Sequence, residues 1–233
     1  MLALAPIVNA VEQRGLIVRG AFALDESDRR AGLDGLEAIV LVGSAGTSGW
    51  SAFAASAEAR DGLAEPLDRW SRRVIEALAA GLGAQAFFPF GGPPHWPFQR
   101  WAMRGESVYP SPLGMLIHPD YGLWHSYRGA LGFEDAIALP ESTPRASPCD
   151  ACASRPCLVA CPVSAFAADG YDVAACAAHL RRQSDGACME GGCLARRACP
   201  VGAEHAHVRE QARFHMRAFL RARDLAEGLS PTA

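Results

Sequence analysis

All eight cysteines of this 233-residue chain fall between Cys149 and Cys199, and none precedes them. Crowding of this kind makes them one local structure. In a reducing compartment clustered cysteines hold metal or do redox chemistry more often than they form structural disulfides. The first four read Cys149-x2-Cys152-x4-Cys157-x3-Cys161-Pro162. That is close to the bacterial cluster-binding run C-x2-C-x2-C-x3-C-P, with two residues added between the second and third cysteines. Three thiolates on one short loop can wrap three corners of a cubane. The fourth, on a helix that Pro162 opens, points toward a different centre.

A second copy follows. CLVACPVSA at Cys157 to Ala165 matches CLARRACPVGA at Cys193 to Ala203 with two residues inserted. In both copies four residues separate the preceding cysteine, Cys152 or Cys188, from the Cys-Leu pair, and Cys176 is the eighth thiol. The pattern predicts two four-iron clusters. With the fourth ligand exchanged, Cys149, Cys152, Cys157 and Cys199 serve one and Cys161, Cys176, Cys188 and Cys193 the other. Two other uses of the same thiols stand beside this one. Zinc sites would also take eight cysteines, although zinc ribbons favour paired C-x2-C knuckles and this chain has a single such pair. The long gaps after Cys176 and Cys193 leave room for a domain that has lost one cluster. Arg196 and Arg197 sit between two of the ligands, where positive charge favours the more reduced cluster, or else they are solvated loop residues.

The 22 cationic residues are all arginine. Without lysine there is no Schiff-base chemistry, no covalent pyridoxal site and no Walker-type phosphate loop. A formal charge of -3 gives a mean field that argues against general nucleic-acid binding. The longest stretch free of Asp, Glu and Arg, Ala77 to Gln99, carries too many glycines and prolines for a lipid-spanning helix. The apolar start, Met1 to Val11, lacks the basic flank of a signal peptide, so a cytoplasmic address is expected.

Along the chain, Leu4, Ile7, Val8 and Val11 recur at helical spacing, and Leu16 to Val18 and Leu36 to Val42 read as buried strands. Gly43, Gly46 and Gly49 form a turn before a helix through Trp50 to Ala59. Pro66 opens a helix carrying Leu67, Trp70, Val74, Ile75 and Leu78 that ends near Gly81 or Gly83. A strand at Ala86 to Phe90 follows, and then short antiparallel runs at Met115 to His118 and Ser126 to Phe133. The fold expected is α+β: an N-terminal α/β domain over residues 1–138 for cofactor or partner binding, a Pro-rich linker at 139–148, and a cysteine domain over 149–233. That domain closes on a helix within Ala203 to Leu225 that turns Phe214, Ala218 and Leu225 inward.

The stretch CDACASRPCLVACP resembles the ferredoxin-type loops of iron–sulfur electron-transfer subunits, and the full order of eight cysteines resembles the ferredoxin-like domain of the epoxyqueuosine reductases. That likeness implies two 4Fe-4S clusters beside a cobalamin-binding domain. LIHPDYGLWHSYRGA at Leu116 to Ala130 is similar to the His-Pro-x-x-Gly-x-Trp stretch of the CblC-type cobalamin-processing proteins. It implies a flavin-reductase-like N-terminal fold, a cobalamin or flavin, and His118, Trp124 and Arg128 as cofactor-binding residues. An arginine in that place would grip a carboxylate or phosphate by a bidentate contact; as ordinary residues, the three would pack and hydrogen-bond. No catalytic acid is placed by either resemblance.

These observations support an iron–sulfur oxidoreductase that passes electrons to a cobalamin or flavin held by the first domain. The rivals are a ferredoxin-type carrier for a separate redox partner protein or small-molecule acceptor, and a zinc-binding interaction module.

Overall fold

The computed structural model describes residues 1–140, 143, 145–167 and 170–229. They form two compact units that alternate along the chain. The first joins Met1–Val108 to His125–Arg145, and the second joins Tyr109–Trp124 to the chain from Ala146 onward. Tyr109–Trp124 therefore belongs with the cysteines, a departure from the continuous domain expected over 1–138. The physical reason lies in its apolar residues: Leu113, Ile117 and Leu123 are buried in one core with Ala195 and Cys199. The boundary at Arg145/Ala146 falls inside the 139–148 segment, of which Glu141, Ser142 and Pro144 lie outside the described residues.

The first unit is built on a four-stranded sheet of β1 (Ile17–Ala23), β2 (Ala38–Ala45), β3 (Gln85–Phe87) and β4 (His125–Phe133), in the order β1-β2-β4-β3. Every ladder in it is antiparallel. The expected α/β character is thus α+β, since among the described residues the parallel pairing is confined to the short ladder of Leu2–Ala3 with Ile137–Ala138. Central β2 is buried on both faces, which its uninterrupted apolar run Ala38 to Val42 dictates.

Helix α1 (Leu4–Glu12) buries Ile7 and Val11. Helix α2 (Pro66–Leu82) opens on proline and buries Trp70, Val74, Ile75 and Leu78. Each of these side chains contributes about 1.5–3 kcal/mol of transfer free energy. The helix after the glycine turn is shorter than expected, Trp50–Ala54. Helix α3 (Phe98–Gly105) buries Phe98, Trp101 and Ala102. Inside this unit Arg19, almost fully buried, donates to both carboxylate oxygens of Glu106 at 3.1 and 3.0 Å, and the Tyr127 hydroxyl also donates to Glu106.

The second unit contains little sheet. Tyr109–Pro110 pairs antiparallel with Leu116–Ile117, and Phe166–Ala167 with Gly170–Tyr171. Around these lie α4 (Pro156–Val159), α5 (Val173–Arg182), α6 (Ala187–Gly191), α7 (Leu194–Arg197) and the long α8 (Arg209–Ala226). The face that α8 turns inward differs from the expected one. Gln211, Ala212, Leu220 and Asp224 are buried, while Ala218 and Leu225 are exposed. Leu220 joins the core of α5 and α6, and Asp224 accepts two hydrogen bonds from Arg181 at 2.9 and 2.7 Å, which sets the rotation.

Candidate metal centre

Short helices begin at or just before the Cys-Leu pairs of both copies, α4 around Cys157 and α7 directly after Cys193, and each copy ends in a turn after its Cys-Pro. Those turns share a backbone. Ser164 in the first and Gly202 in the second both adopt positive φ, at 48° and 65°. A serine is tolerated in the first copy. In the second, a Cβ on Gly202 would overlap the backbone of Tyr121 and Gly122, and one on Gly122 would overlap the Val201 carbonyl. The two glycines let the 118–124 loop and the Cys199-Pro200-Val201 turn meet backbone to backbone, an approach that a side chain would block.

The structure gathers the thiols in two groups. Cys149, Cys152, Cys157 and Cys199 line one cavity, closed in by Ile117 and Pro156. Burial, and then the neighbouring charges of Cys199, Cys157 and Cys152, push the Cys149 thiol up. In the other group burial raises Cys176, with further increases from Cys161 and Cys188. Burial likewise raises Cys193, which feels Cys188 and Cys176. Each group is thus a set of thiols whose ionised forms repel one another, and bound cations would remove that repulsion. Among the described residues no three or more His, Cys, Asp or Glu are gathered as tightly as a single metal ion needs. A cubane carries one thiolate on each of its irons, so its sulfur ligands stand wider apart than those around one ion.

Donors reach the sulfurs. The Ala165 N–H donates to Cys161 Sγ at 3.3 Å, and the backbone N–H groups of Ala195 and Arg196 favour the ionised form of Cys193. The Tyr171 hydroxyl favours the ionised form of Cys176, and its ring is stacked on Phe166 with centroids 4.6 Å apart. Cys157 receives the Leu158 N–H. These are groups that stabilise thiolate charge, so eight soft sulfur ligands with N–H and O–H donors fit iron–sulfur clusters.

Arg196 is held in this unit by Leu123, whose carbonyl accepts from its Nε and Nη2 at 3.1 and 2.6 Å, and its guanidinium lies 4.3 Å from the Trp124 ring centroid. Burial lowers Arg196 to about 10. Trp124 packs edge-on against His207, which burial, together with Arg196 and His215, holds neutral with a pKa of about 3. Arg197, by contrast, is exposed.

The three residues singled out in the histidine–tryptophan stretch fall in different units. His118 and Trp124 lie in the cysteine unit and Arg128 in the sheet unit. His118 Nδ1 accepts from the N–H groups of Asp120 and Tyr121 at 3.0 and 3.2 Å, so it shapes its own turn. Trp124 is the platform for Arg196. Arg128, on β4, pairs with Asp68 and donates to Ser71 Oγ at 2.9 Å, with the Phe90 ring 5.3 Å away. The roles of Tyr171 and of the Gly122/Gly202 contact escaped the sequence reading. Tyr171 lies outside every cysteine motif, and the glycine pair is separated along the chain. The one signal for that contact is the replacement of Ser164 by Gly202 between the two otherwise parallel Cys-Pro-Val turns.

No protein-family model matches the chain, and no curated protein matches it either. Solved structures do. Epoxyqueuosine reductase from Streptococcus thermophilus superposes with a TM-score of 0.51 at 14% identity, over 85% of this chain and 65% of that one. A selenomethionine-labelled epoxyqueuosine reductase gives 0.54 at 13% identity, over 89% and 68%. An epoxyqueuosine reductase solved with an epoxyqueuosine-modified tRNA-Tyr stem loop gives 0.52 at 13% identity, over 87% and 66%. At these identities the likeness is one of fold, and the chain spans about two thirds of the length of each of these enzymes. The mixed α and β architecture of the epoxyqueuosine reductases is the fold that this chain shares.

Proposed function

We propose that the chain is an iron–sulfur redox protein whose second unit holds two 4Fe-4S clusters, one on Cys149, Cys152, Cys157 and Cys199 and one on Cys161, Cys176, Cys188 and Cys193. The observation that carries this reading is the gathering of the thiols into those two groups, each with N–H donors to sulfur. When bound, such clusters supply one-electron chemistry. The chain's own part is to present ionised sulfurs, to stabilise their charge through the Leu158, Ala165, Ala195 and Arg196 amides, and to wall one group with Ile117 and Pro156. The fold shared with the epoxyqueuosine reductases supports a reductase that draws on these electrons. A cobalamin or flavin in the sheet unit would be its second cofactor, and a cytoplasmic address its setting.

A carrier reading is favoured by one observation. Arg128, the residue that would grip a cofactor's acid group, is already engaged by Asp68 and Ser71. On that reading the sheet unit is a docking body for a redox partner protein. Cofactor content separates the two: stoichiometric corrinoid or flavin, present or taken up on addition, supports the reductase, and its absence supports the carrier. The mean-field argument against nucleic acid is weakened by the fold neighbour solved with a tRNA stem loop. RNA binding measured across a salt series tests this chain directly, a specific complex being the result that removes the argument.

The decisive preparation is anaerobic. Roughly eight irons and eight acid-labile sulfides per chain are expected, with a brown colour that bleaches on dithionite. A colourless protein holding redox-silent zinc would overturn the reading. Cys157→Ser should remove one cluster's signal and spare more of the other, and equal loss of both would reject the division of ligands.

A further inference from the structure

We infer that a cavity in the second unit, between α6, α7 and the start of α8, is a binding site for a small organic acid, a carboxylate or phosphate group on a partly apolar body, and that Arg197 and Arg209 receive the acid group. The site is separate from the thiol groups, and the inference does not depend on what they hold.

The sequence already sets this region apart. When CLVACP of the first copy is aligned with CLARRACP of the second, the two residues that the second copy adds are Arg196 and Arg197. Arg196 turns to the Leu123 carbonyl and the Trp124 ring. Arg197 is exposed, lines the cavity, and among the described residues its guanidinium has no carboxylate or hydrogen-bond acceptor. Gly191 makes room for it: a Cβ there would come within 2.6 Å of Arg197 Nη1.

Charge selects the ligand. Glu190 Oε2 accepts from Arg209 Nε and Nη2 at 3.2 and 2.8 Å, and its Oε1 lies 3.0 Å from Arg213 Nε. The carboxylate fixes Arg209 at the cavity with both of its own oxygens engaged, so Arg197, Arg209 and Arg213 gather here with one acid. The positive excess favours an anion, and a guanidinium fork suits a carboxylate or phosphate. Trp124 forms part of the wall, is 3% exposed, and its Nε1–H is buried with no acceptor among the described residues. A buried donor left unpaired is costly, and an oxygen-bearing ligand closing on this wall supplies the acceptor that the indole lacks. Size selects the rest. The cavity holds about 350 Å³, within the range of organic-ligand sites and far more than a bare oxyanion fills. Ala187 and Ala206 bring no polar side chain to it, so the body of the ligand beyond its acid group meets apolar surface.

The test is calorimetric titration of the anaerobically prepared full chain with phenyl phosphate and benzoate, and with phenol and inorganic phosphate as the neutral and the bodiless counterparts. One of the two acids should bind more tightly than both counterparts, and which one it is tells phosphate from carboxylate. Arg197→Gln and Arg209→Gln should each weaken that binding by about tenfold, the loss of a charge-assisted hydrogen bond. Gly191→Ala should weaken it by less, because the added methyl displaces Arg197 Nη1 while every charge stays in place. Arg221→Gln, exposed farther along α8, should leave it unchanged. Absence of binding by both acids at millimolar concentration would overturn the inference. So would affinity no better than that of phenol or of inorganic phosphate, or an Arg221→Gln loss equal to that of Arg197→Gln. If Arg197→Gln fails to fold, Gly191→Ala decides, and wild-type affinity in that variant rejects the site. Iron and sulfide counted on the same samples tell a failure of the cluster reading apart from a failure of this one.

Discussion

Gly122 and Gly202 show how much a single hydrogen in place of a side chain can decide. The repeat makes Ser164 and Gly202 equivalent, and both take left-handed backbone, yet the second copy is the one that another loop meets at backbone distance. Gly122→Ala is expected to destabilise the second unit by about 1–3 kcal/mol, since the added methyl overlaps the Val201 carbonyl and the positive φ disfavours it. Thermal melting checks this. The midpoint should fall by several degrees, at about 2–4 °C per kcal/mol for a chain of this size. Alanine at Gly114, which also has positive φ but nothing within 4 Å of an added Cβ, should cost less. Arg196 carries the same lesson about charge. Its neighbour Arg197 is the same residue type and exposed, whereas Arg196 is held by the Leu123 carbonyl and the Trp124 ring.

Elements of the first unit follow from local pattern. Pro66 pre-sets the first turn of α2, and the spacing of Trp70, Val74, Ile75 and Leu78 puts them on the face it buries. What the pattern does not show is how the loop before α2 is tied back. Glu58 accepts from Arg73 Nη2 at 3.0 Å and also from its Nε, and this bond holds the Glu58 carboxyl near a pKa of about 2. A depressed pKa contributes stability above the ordinary carboxylate value of 4.5, and that contribution is lost as pH falls toward 2. Because Arg73 is more than half exposed, the effect is no more than about 1 kcal/mol. Glu58→Gln should therefore flatten the stability profile across that acid window and leave the slope near neutrality unchanged, as urea melts at stepped pH would show. The exposed Ala218 and Leu225 of α8 mark the limit of pattern reading. On a helix rich in arginine and alanine several faces look alike, and the Arg181–Asp224 bond chose among them.

At the scale of the molecule, the chain builds two units by passing from the first to the second and back before the cysteines begin. The first has its own sheet and core. The second has short strands, small helices and two modest cores into which the cysteines are packed. If the thiols hold clusters, binding free energy is folding free energy for that unit, because the unfolded chain has no formed site. Removing iron with an oxidant and a chelator should open the second unit to proteolysis within 146–229 while the sheet unit stays protected. Uniform cleavage across both, or none, would show that metal is not what holds the second unit together.

The sequence by itself determined that the cysteines form one local structure, in two copies with a shared Cys-Pro-Val turn, and that α2 and β2 exist. Each of these rests on spacing along a few turns or strand residues, where the chain's own geometry sets which side chains share a face. Tertiary structure alone decided that Tyr109–Trp124 joins the cysteine unit and that Leu123 and Trp124 hold Arg196. It also decided that Arg128 is bound by Asp68 instead of standing free. Those outcomes depend on surfaces brought together from distant parts of the chain, where shape and charge meet without any periodic trace in the order of residues.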